Sequence, residues 1–441
     1  VDEQVKANLK PYRKVYIKRR ASTGGYEASW QEVTEYIKTF GKVIWSIDDI
    51  KRGLLTQEGF QLIGDNAGGK WDTEDKSASL FSGYATRYKT QVKIEMGLLD
   101  ANGDEQPAAN SVFQGVVLDD CIATNLGMEV IVPVSPITAI LKEQPADSIP
   151  VGALTTNTAY EIIYNGIRQI QDTATATYKV REFISSASWD ITATSQDYIN
   201  LTAAGDFASL DCLQLIERMA IGENMVAFLD PASGNLKFRD RDPSATVKWH
   251  FFGGKAGKYA RSLGYSVDII DIPDYNEGLA SCYQRIRCKF NSAYTETSYA
   301  MTAEAWYIGD GTSSWKYGQR TYEFENLWLS ITTANSVCSV LQTEFQDPDE
   351  EITLVTKMNP TLNLLDRVKV SFFGPITSRY RQREGSYWGT AFWTGAATPE
   401  STPRAYWTGR IGPDLLNEQF YIIRVEHDLD NYVSTFKLRG V

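Results

Sequence analysis

Apolar and polar positions alternate in short runs over the first 135 residues. The runs are YRKVYIKRR, the stretch 33–47, TQVKIEMGLLD, SVFQGVVLDD and MEVIVPV. Turn formers separate them: Gly24-Gly25, Asp65-Asn66 with Gly68-Gly69, Asp100-Ala101-Asn102-Gly103, and Asn125-Leu126-Gly127. A period of two bounded by Gly, Asn and Asp predicts strands, and several short strands with little helix predict a barrel or sandwich. In the first run Lys10, Arg13, Lys14, Lys18, Arg19 and Arg20 interleave with Tyr12, Val15, Tyr16 and Ile17, which reads as the solvent face of a strand.

The period then changes. Pro136, Pro145 and Pro150 sit among small polar residues over 136–158, a composition expected of a linker. Over 159–170, Ile162, Ile163, Ile167 and Ile170 recur at helical spacing and predict a packing face. Residues 174–204 mix Thr, Ala and Ser around Trp189 and read as weak strands and loops. At 208–242, Ser209 or Asp211 supplies an N-cap ahead of Leu213, Ile216, Met219 and Ala220, and Gly222 stands where the helix would stop. MVAFLD and NLKFRDR then predict a hairpin through Pro231-Ala232-Ser233-Gly234, ending in an exposed ion-pair cluster of Arg239, Asp240, Arg241 and Asp242. LASCYQRIRCKFNSA and SYAMTAEAWYI predict long antiparallel strands. Ala334, Val337, Leu341 and Phe345 predict a helix at 332–346, stopped by Asp347-Pro348. TLVTKMNPTLNLLDRVKVSF (353–372) reads as strand, turn, strand, and FYIIRVEHDLDNYVSTFKLRGV closes the chain with two strands around an Asp-Asn turn.

The expected fold is therefore mainly β with an α+β insert, two β-barrel-like domains flanking a smaller α+β domain. The divisions fall at 1–135, a linker at 136–158, an α+β domain at 159–265, and a C-terminal β-domain at 266–441 carrying one helix. Within that last unit, 374–418 is an aromatic-rich insertion. It holds Tyr387-Trp388-Gly389-Thr390, Phe392-Trp393-Thr394-Gly395 and Tyr406-Trp407-Thr408-Gly409, with Pro399 and Pro403 at its tip. Long insertions in compact β-units are interaction arms more often than packing elements. The candidate interaction residues are Tyr387, Trp388, Phe392, Trp393, Tyr406 and Trp407.

Composition narrows the function classes. With 441 residues, 43% hydrophobic and 22% charged, the chain has the make-up of a folded soluble protein. Its net charge of −11 argues against a sequence-independent grip on nucleic acid, which needs clustered Lys and Arg. No apolar run reaches the roughly 18–20 residues of a membrane span, and the N-terminus lacks the basic-then-apolar order of a secretion signal. The 5 cysteines, Cys121, Cys212, Cys282, Cys288 and Cys338, include no Cys-x-x-Cys pair, and only His250 and His427 could join them, so buried free thiols are expected and zinc is not.

Catalytic patterns are equally sparse. Asp48-Asp49 and Asp119-Asp120 place neighbours on opposite faces of a strand, unlike the paired carboxylates of a glycosidase. DPDEE at 347–351 reads as a solvated turn and only weakly as calcium ligands. In Val425-Glu426-His427-Asp428, alternation puts Val425 with His427 on one face and Glu426 with Asp428 on the other, which implies no triad. Gly253-Gly254-Lys255-Ala256-Gly257-Lys258 lacks the spacing and the Lys-Ser/Thr ending of a phosphate loop. No catalytic, cofactor-binding or metal residues are assigned, and no enzyme activity is expected.

The order of segments resembles the hub and minor tail proteins at the distal end of bacteriophage tails and related injection machines. It runs WQEVTEYI, GKVIWSIDDIKRG, a polar loop with Asp65-Asn66, VKIEMGL, and VFQGVVLDD carrying Phe113, Gly115 and Val117. The cassette LQLIERMAIGENMVAFLDPASGNLKFRDRDP and the closing strands follow. The resemblance implies a structural part of a phage or phage-like tail, a ring-shaped baseplate hub on the tail tube through which DNA passes. It implies a homo-oligomer, a trimer, contacting other tail and baseplate proteins, in a virion tail assembled in the host cytoplasm, with DNA crossing the lumen unbound and no cofactor. The alternative is a tail-tip carbohydrate-binding protein that attaches to the host through the Tyr/Trp-rich insert. Deleting 376–416 separates the two: glycan-array binding should vanish while assembly, followed by light scattering, survives, if the insert serves attachment.

Overall fold

The computed structural model describes residues 10–20, 25–47, 53–72, 79–82, 84, 87–99, 102–105, 110–150, 158–170, 180, 210–223, 225–230, 236–239, 246–253, 268–276, 283, 285–289, 321–325, 331–345, 350–373 and 415–440. The six aromatic candidates of the insert lie outside these residues. So do Asp48-Asp49, almost all of 174–204, the turn 231–234, Asp240 with Arg241 and Asp242, the segment SYAMTAEAWYI, and Asp347-Pro348.

In chain order, the strands begin with β1 (Lys10–Lys18), β2 (Gln31–Glu32), β3 (Ile37–Thr39), β4 (Lys42–Ile47), β5 (Gly53–Gln57) and β6 (Phe60–Asp65). β7 (Gln91–Leu99), β8 (Asn110–Val116), β9 (Ile122–Thr124) and β10 (Glu129–Pro136) follow. A helical stretch comes next, with α1 (Thr138–Lys142) and α2, whose first turn Ala159–Glu161 passes through a π turn (Ile162–Gly166) into a 3-10 turn (Ile167–Gln169). Helix α3 (Cys212–Gly222) leads into β11 (Val226–Leu229) and β12 (Leu236–Arg239), then β13 (Trp249–Gly253), β14 (Ile269–Asn276), β15 (Arg285–Lys289) and β16 (Thr321–Glu325). Helix α4 (Ile331–Phe345), β17 (Glu351–Lys357), β18 (Arg367–Phe373), β19 (Leu415–Asp428) and β20 (Val433–Gly440) complete the chain.

The protein is mainly β, built on two curled, half-barrel sheets. Among the described residues, the first has 8 strands in the order β2-β1-β7-β8-β10-β6-β3, with β9 added on β10; the second has 10, in the order β12-β11-β5-β4-β19-β20-β17-β14, with β13 and β18 joined through β19. Most pairs are antiparallel; β11 with β5, β13 with β18 and β15 with β16 run parallel. The polar loop carrying Asp65-Asn66 opens where β6 ends at Asp65, and two strands that the sequence pattern does not mark, β5 and β6, precede it. GLLTQ and FQLIGD are short, carry a Gly each and alternate poorly, so their strand character comes from their partners and not from a local period. The expected pairing of LASCYQRIRCKFNSA with SYAMTAEAWYI lies partly outside the described residues; within the first run, β15 pairs in parallel with β16.

The two sheets share one apolar core. Val15, Ile17, Ile94 and Met96 of the first sheet belong to the same cluster as Trp45, Phe251, Ile422 and Phe436 of the second. A second core gathers α1 through α4 with β15 and β16. Strand β11 belongs to both, because a strand's side chains alternate: Val226 and Phe228 face the first core, Ala227 and Leu229 the second. Helix α3 is seated by a capping box, Asp211 accepting the Gln214 N–H at 2.8 Å while Gln214 Oε1 accepts the Asp211 N–H at 3.2 Å. Residues 137–149 also pack, with Ile137, Ile140, Leu141, Ala146 and Ile149 buried in the second core. The glycine in Phe113-x-Gly115-x-Val117 has a steric cause. A Cβ on Gly115 would lie 2.5 Å from the Ser135 carbonyl oxygen on β10, beneath the Phe113 ring.

The second sheet holds a piece of the first sheet's sequence. Strands β4 and β5 lie between β3 and β6 in the chain, yet they pair in the second sheet, β4 against β19 from Lys42↔Asp428 to Ser46↔Arg424. In return, the β19–β20 turn reaches back to the first sheet. Asp430 accepts the backbone N–H groups of Phe40 (3.1 Å) and Gly41 (3.0 Å) and lies 3.6 Å from Arg13 of β1. The Arg13 guanidinium in turn sits 3.7 Å over the Phe40 ring and 4.9 Å from that of Tyr432. Asp428 shapes the turn by accepting the Asp430 and Asn431 N–H groups. Asp430→Ala should cost about 1–3 kcal/mol, because two backbone donors lose their acceptor. Asp430→Asn, which keeps one oxygen, should recover part of that loss in urea unfolding followed by tryptophan fluorescence.

Candidate functional site

Among the described residues, no paired acid and base emerges from the carboxylates that sequence singles out. Asp119 and Asp120 are both exposed on the loop after β8. Glu351, expected in a solvated turn, is instead 6% exposed at the start of β17. Its Oε1 takes Arg439 at 2.6 Å and its Oε2 takes Lys437 at 3.2 Å and Asn276 at 3.2 Å. Burial alone would push its carboxyl up, but Arg439 and Lys437 outweigh that and hold it below its usual value. The reason the turn reading fails is register: Glu351 pairs with Arg439 across β17 and β20, a contact that depends on residues far away in sequence. Among the described residues no group of three or more His, Cys, Asp or Glu side chains could hold a metal, and no helix is long and apolar enough to cross a membrane.

Three basic residues of the first run have carboxylate partners: Arg13 lies 3.6 Å from Asp430, Lys14 3.0 Å from Glu105 and Arg19 2.7 Å from Glu27. Val425 and His427 do share one face, and Glu426 and Asp428 the other, where Lys42 lies 2.8 Å from Glu426. His427 is wholly buried in the joint between the sheets. Its Nδ1 is 2.8 Å from Ser434 Oγ, which accepts the Asn359 N–H at 3.0 Å. Its Nε2 has no hydrogen-bond partner, and the rings of Trp45 and Phe436 stand edge-on to it at 6.0 and 6.2 Å. Burial drives its pKa down to about 4. Closed off from solvent, the His427–Ser434 pair has no route to a substrate, and it acts as a packing polar pair. The Asp-Asn turn sets it up, because His427 and Ser434 are register partners across the final hairpin.

One exposed feature stands apart on the first sheet. Large apolar residues are exposed at Ile122 (58%), Leu126 (104%) and Met128 (50%), all in and around one turn. Asn125, Leu126 and Gly127 have φ of 50°, 54° and 84°, three successive residues in the left-handed region. For a leucine this conformation costs roughly 1–2 kcal/mol, and the structure holds it in place. The buried Asn66 donates from Nδ2 to the Gly127 carbonyl and from its backbone to the Met128 carbonyl, both at 3.0 Å. Its own Oδ1 accepts the Trp71 N–H at 2.7 Å. Asp65-Asn66 and Asn125-Leu126-Gly127, two turn signals separate in sequence, thus form one rigid apolar knob. The sequence clue was a leucine placed between Asn and Gly, where turn chemistry does not call for one.

No family model and no curated protein matches the chain. Among solved structures it is similar to the tail protein from Neisseria meningitidis MC58, at 8% identity and TM-score 0.48, covering 97% of this chain and 96% of that one. It is also similar to the 43 kDa tail protein of prophage MuSo2 from Shewanella oneidensis, at 12% identity and TM-score 0.45, covering 97% of this chain and 98% of that one. A third is prophage tail protein gp18 from Listeria monocytogenes EGD-e, at 11% identity and TM-score 0.45, covering 97% and 94%.

The buried histidine makes a pH prediction. The unfolded chain binds a proton at His427 as pH falls below 6.5, whereas the folded chain resists until about 4. Stability should therefore be unaffected above pH 6.5 and decline between 6.5 and 4 by up to about 1.4 kcal/mol per pH unit. His250, lowered to about 4 by burial and then by Lys369, adds a weaker contribution of the same sign. Urea midpoints measured across this range in wild type and His427→Leu should show a shallower slope in the variant.

Proposed function

We propose that the chain is a structural component of a phage or phage-like tail, forming the ring-shaped baseplate hub at the distal end of the tail tube. The observation that carries this reading is the strand crossing. Two curled sheets with a common core, the second completed by β4 and β5 from between two strands of the first, make a continuous wall segment. The order of segments along the chain supports the same reading. Copies arranged as a trimer would place such segments around a central opening and bury their apolar surface in obligate contacts.

The knob at Leu126 offers a preformed apolar contact for a neighbouring subunit or another tail protein. The net charge of −11, with Arg13, Lys14 and Arg19 paired to carboxylates, suits a lumen that DNA crosses without sticking. On this reading the protein carries out no catalytic step and needs no cofactor. Electron-microscopic class averages of the purified chain at micromolar concentration test it. Threefold rings with an open centre are expected; compact single particles that persist when the neighbouring tail proteins are added would overturn it.

A further inference from the structure

Asparagine is followed directly by glycine at two places in the chain, Asn102-Gly103 and Asn165-Gly166. An exposed pair of this kind is chemically unstable, because no Cβ shields the glycine nitrogen or restricts its backbone. The two sites differ in their surroundings. Asn102 and Gly103 are both exposed, in the turn after β7 that the Leu99↔Glu105 bridge closes. Gly103 has φ of 88°, and a Cβ built on it would meet no atom within 4 Å. Asn165 lies in the π turn of α2, and Gly166 is buried with φ −95° and ψ −82°. A helical turn packed on its glycine leaves no room for the backbone rotation that ring closure requires. Two other asparagines in turns supply further contrasts. Asn66 is 6% exposed, its Oδ1 accepts the Trp71 N–H at 2.7 Å and its Nδ2 donates to the Gly127 carbonyl at 3.0 Å. Asn125 is exposed, but the residue after it is Leu126, whose side chain shields the nitrogen that would attack.

We propose that Asn102-Gly103 is a site of spontaneous covalent modification, where the folded protein deamidates through a cyclic imide to aspartate and isoaspartate. The Gly103 nitrogen gives up its proton to a base in solution and attacks Cγ of Asn102. A C–N bond forms there, the side-chain amide leaves as ammonia, and a succinimide ring results. Water then opens the ring at either carbonyl. Opening at one restores the original backbone with an aspartate side chain; opening at the other routes the backbone through the side chain as isoaspartate. Water enters and ammonia leaves, and no oxidant or reductant takes part. The new carboxylate stands next to Asp104 and Glu105 in sequence, and Glu105 is the residue that Lys14 reaches at 3.0 Å. The modification therefore adds like charge to an acidic turn. The isoaspartyl form also lengthens the backbone inside the loop that Leu99 and Glu105 close. None of this depends on the proposed tail role.

The test uses the full chain, held in mildly alkaline buffer at physiological temperature and sampled over several weeks, with a parallel sample unfolded in urea. In urea both Asn-Gly pairs should convert at similar rates, because the unfolded chain exposes both. In the folded protein the peptide carrying Asn102 should exchange its amide NH2 for OH by mass, while the peptides carrying Asn165, Asn66 and Asn125 keep theirs. Native isoelectric focusing should show a more acidic species accumulating in step. A protein-isoaspartate methyltransferase should methylate the Asn102 peptide and not the others. Asn102→Gln, an exposed substitution, should remove the acidic species and leave the unfolding midpoint unchanged. An Asn102 amide still intact in the folded protein after the urea sample has converted would overturn the proposal, as would conversion of folded Asn165 as fast as Asn102.

Discussion

The constraint on which the rest depends is the passage of β4 and β5 into the second sheet. These strands leave the first sheet's sequence to complete the second, and the β19–β20 turn reaches back to the chain before β4 through Asp430. The second sheet therefore cannot be completed without strands from within the first sheet's sequence. The common core follows from this: Trp45, on the exchanged strand, packs beside His427 of β19, and Val15 and Phe436 belong to one apolar cluster. Polar contacts at the crossing are few and specific. Asp430 satisfies two backbone donors that would otherwise be left without an acceptor, a penalty larger than the net gain from an average hydrogen bond.

Buried polar groups sit where register has to be pinned. Glu351 with Arg439, and His427 with Ser434, are both cross-strand partners in the second sheet. A slip of one residue would carry each of them to the opposite face and strand a charge or an imidazole without its partner. Buried ion pairs are poor sources of net stability, because desolvation offsets most of the attraction. Their value here lies in excluding wrong registers. The same logic accounts for the edge at β14, where Pro273, Asp271 and Asp274 discourage further pairing.

The α+β portion is organised differently. Helices α3 and α4 and the strands β11, β12, β15 and β16 make a second core that meets the sheets at β11, a strand buried on both faces.

Local patterns in the sequence determined much of this. β1, β7, β8, β10 and β17 to β20 alternate with period two, and α3 and α4 carry helical stripes with a capping box at Asp211. These signals come from nearest neighbours along the chain, so they are visible without a partner. The joining of Asp65-Asn66 to Asn125-Leu126-Gly127, the burial of Glu351, and the strand state of β5 and β6 were not visible in that way. Each depends on a residue brought close only by folding: Asn66 on Gly127, Arg439 on Glu351, Val226 on Gly53. The π and 3-10 turns that interrupt α2 are also a tertiary outcome, since Ile162, Ile163, Ile167 and Ile170 read as one continuous helix by spacing. Sequence periodicity decides which face of an element is apolar. Which element covers that face, and therefore which polar groups are buried with it, is decided only when β4 and β5 join the second sheet and the two sheets close on one core.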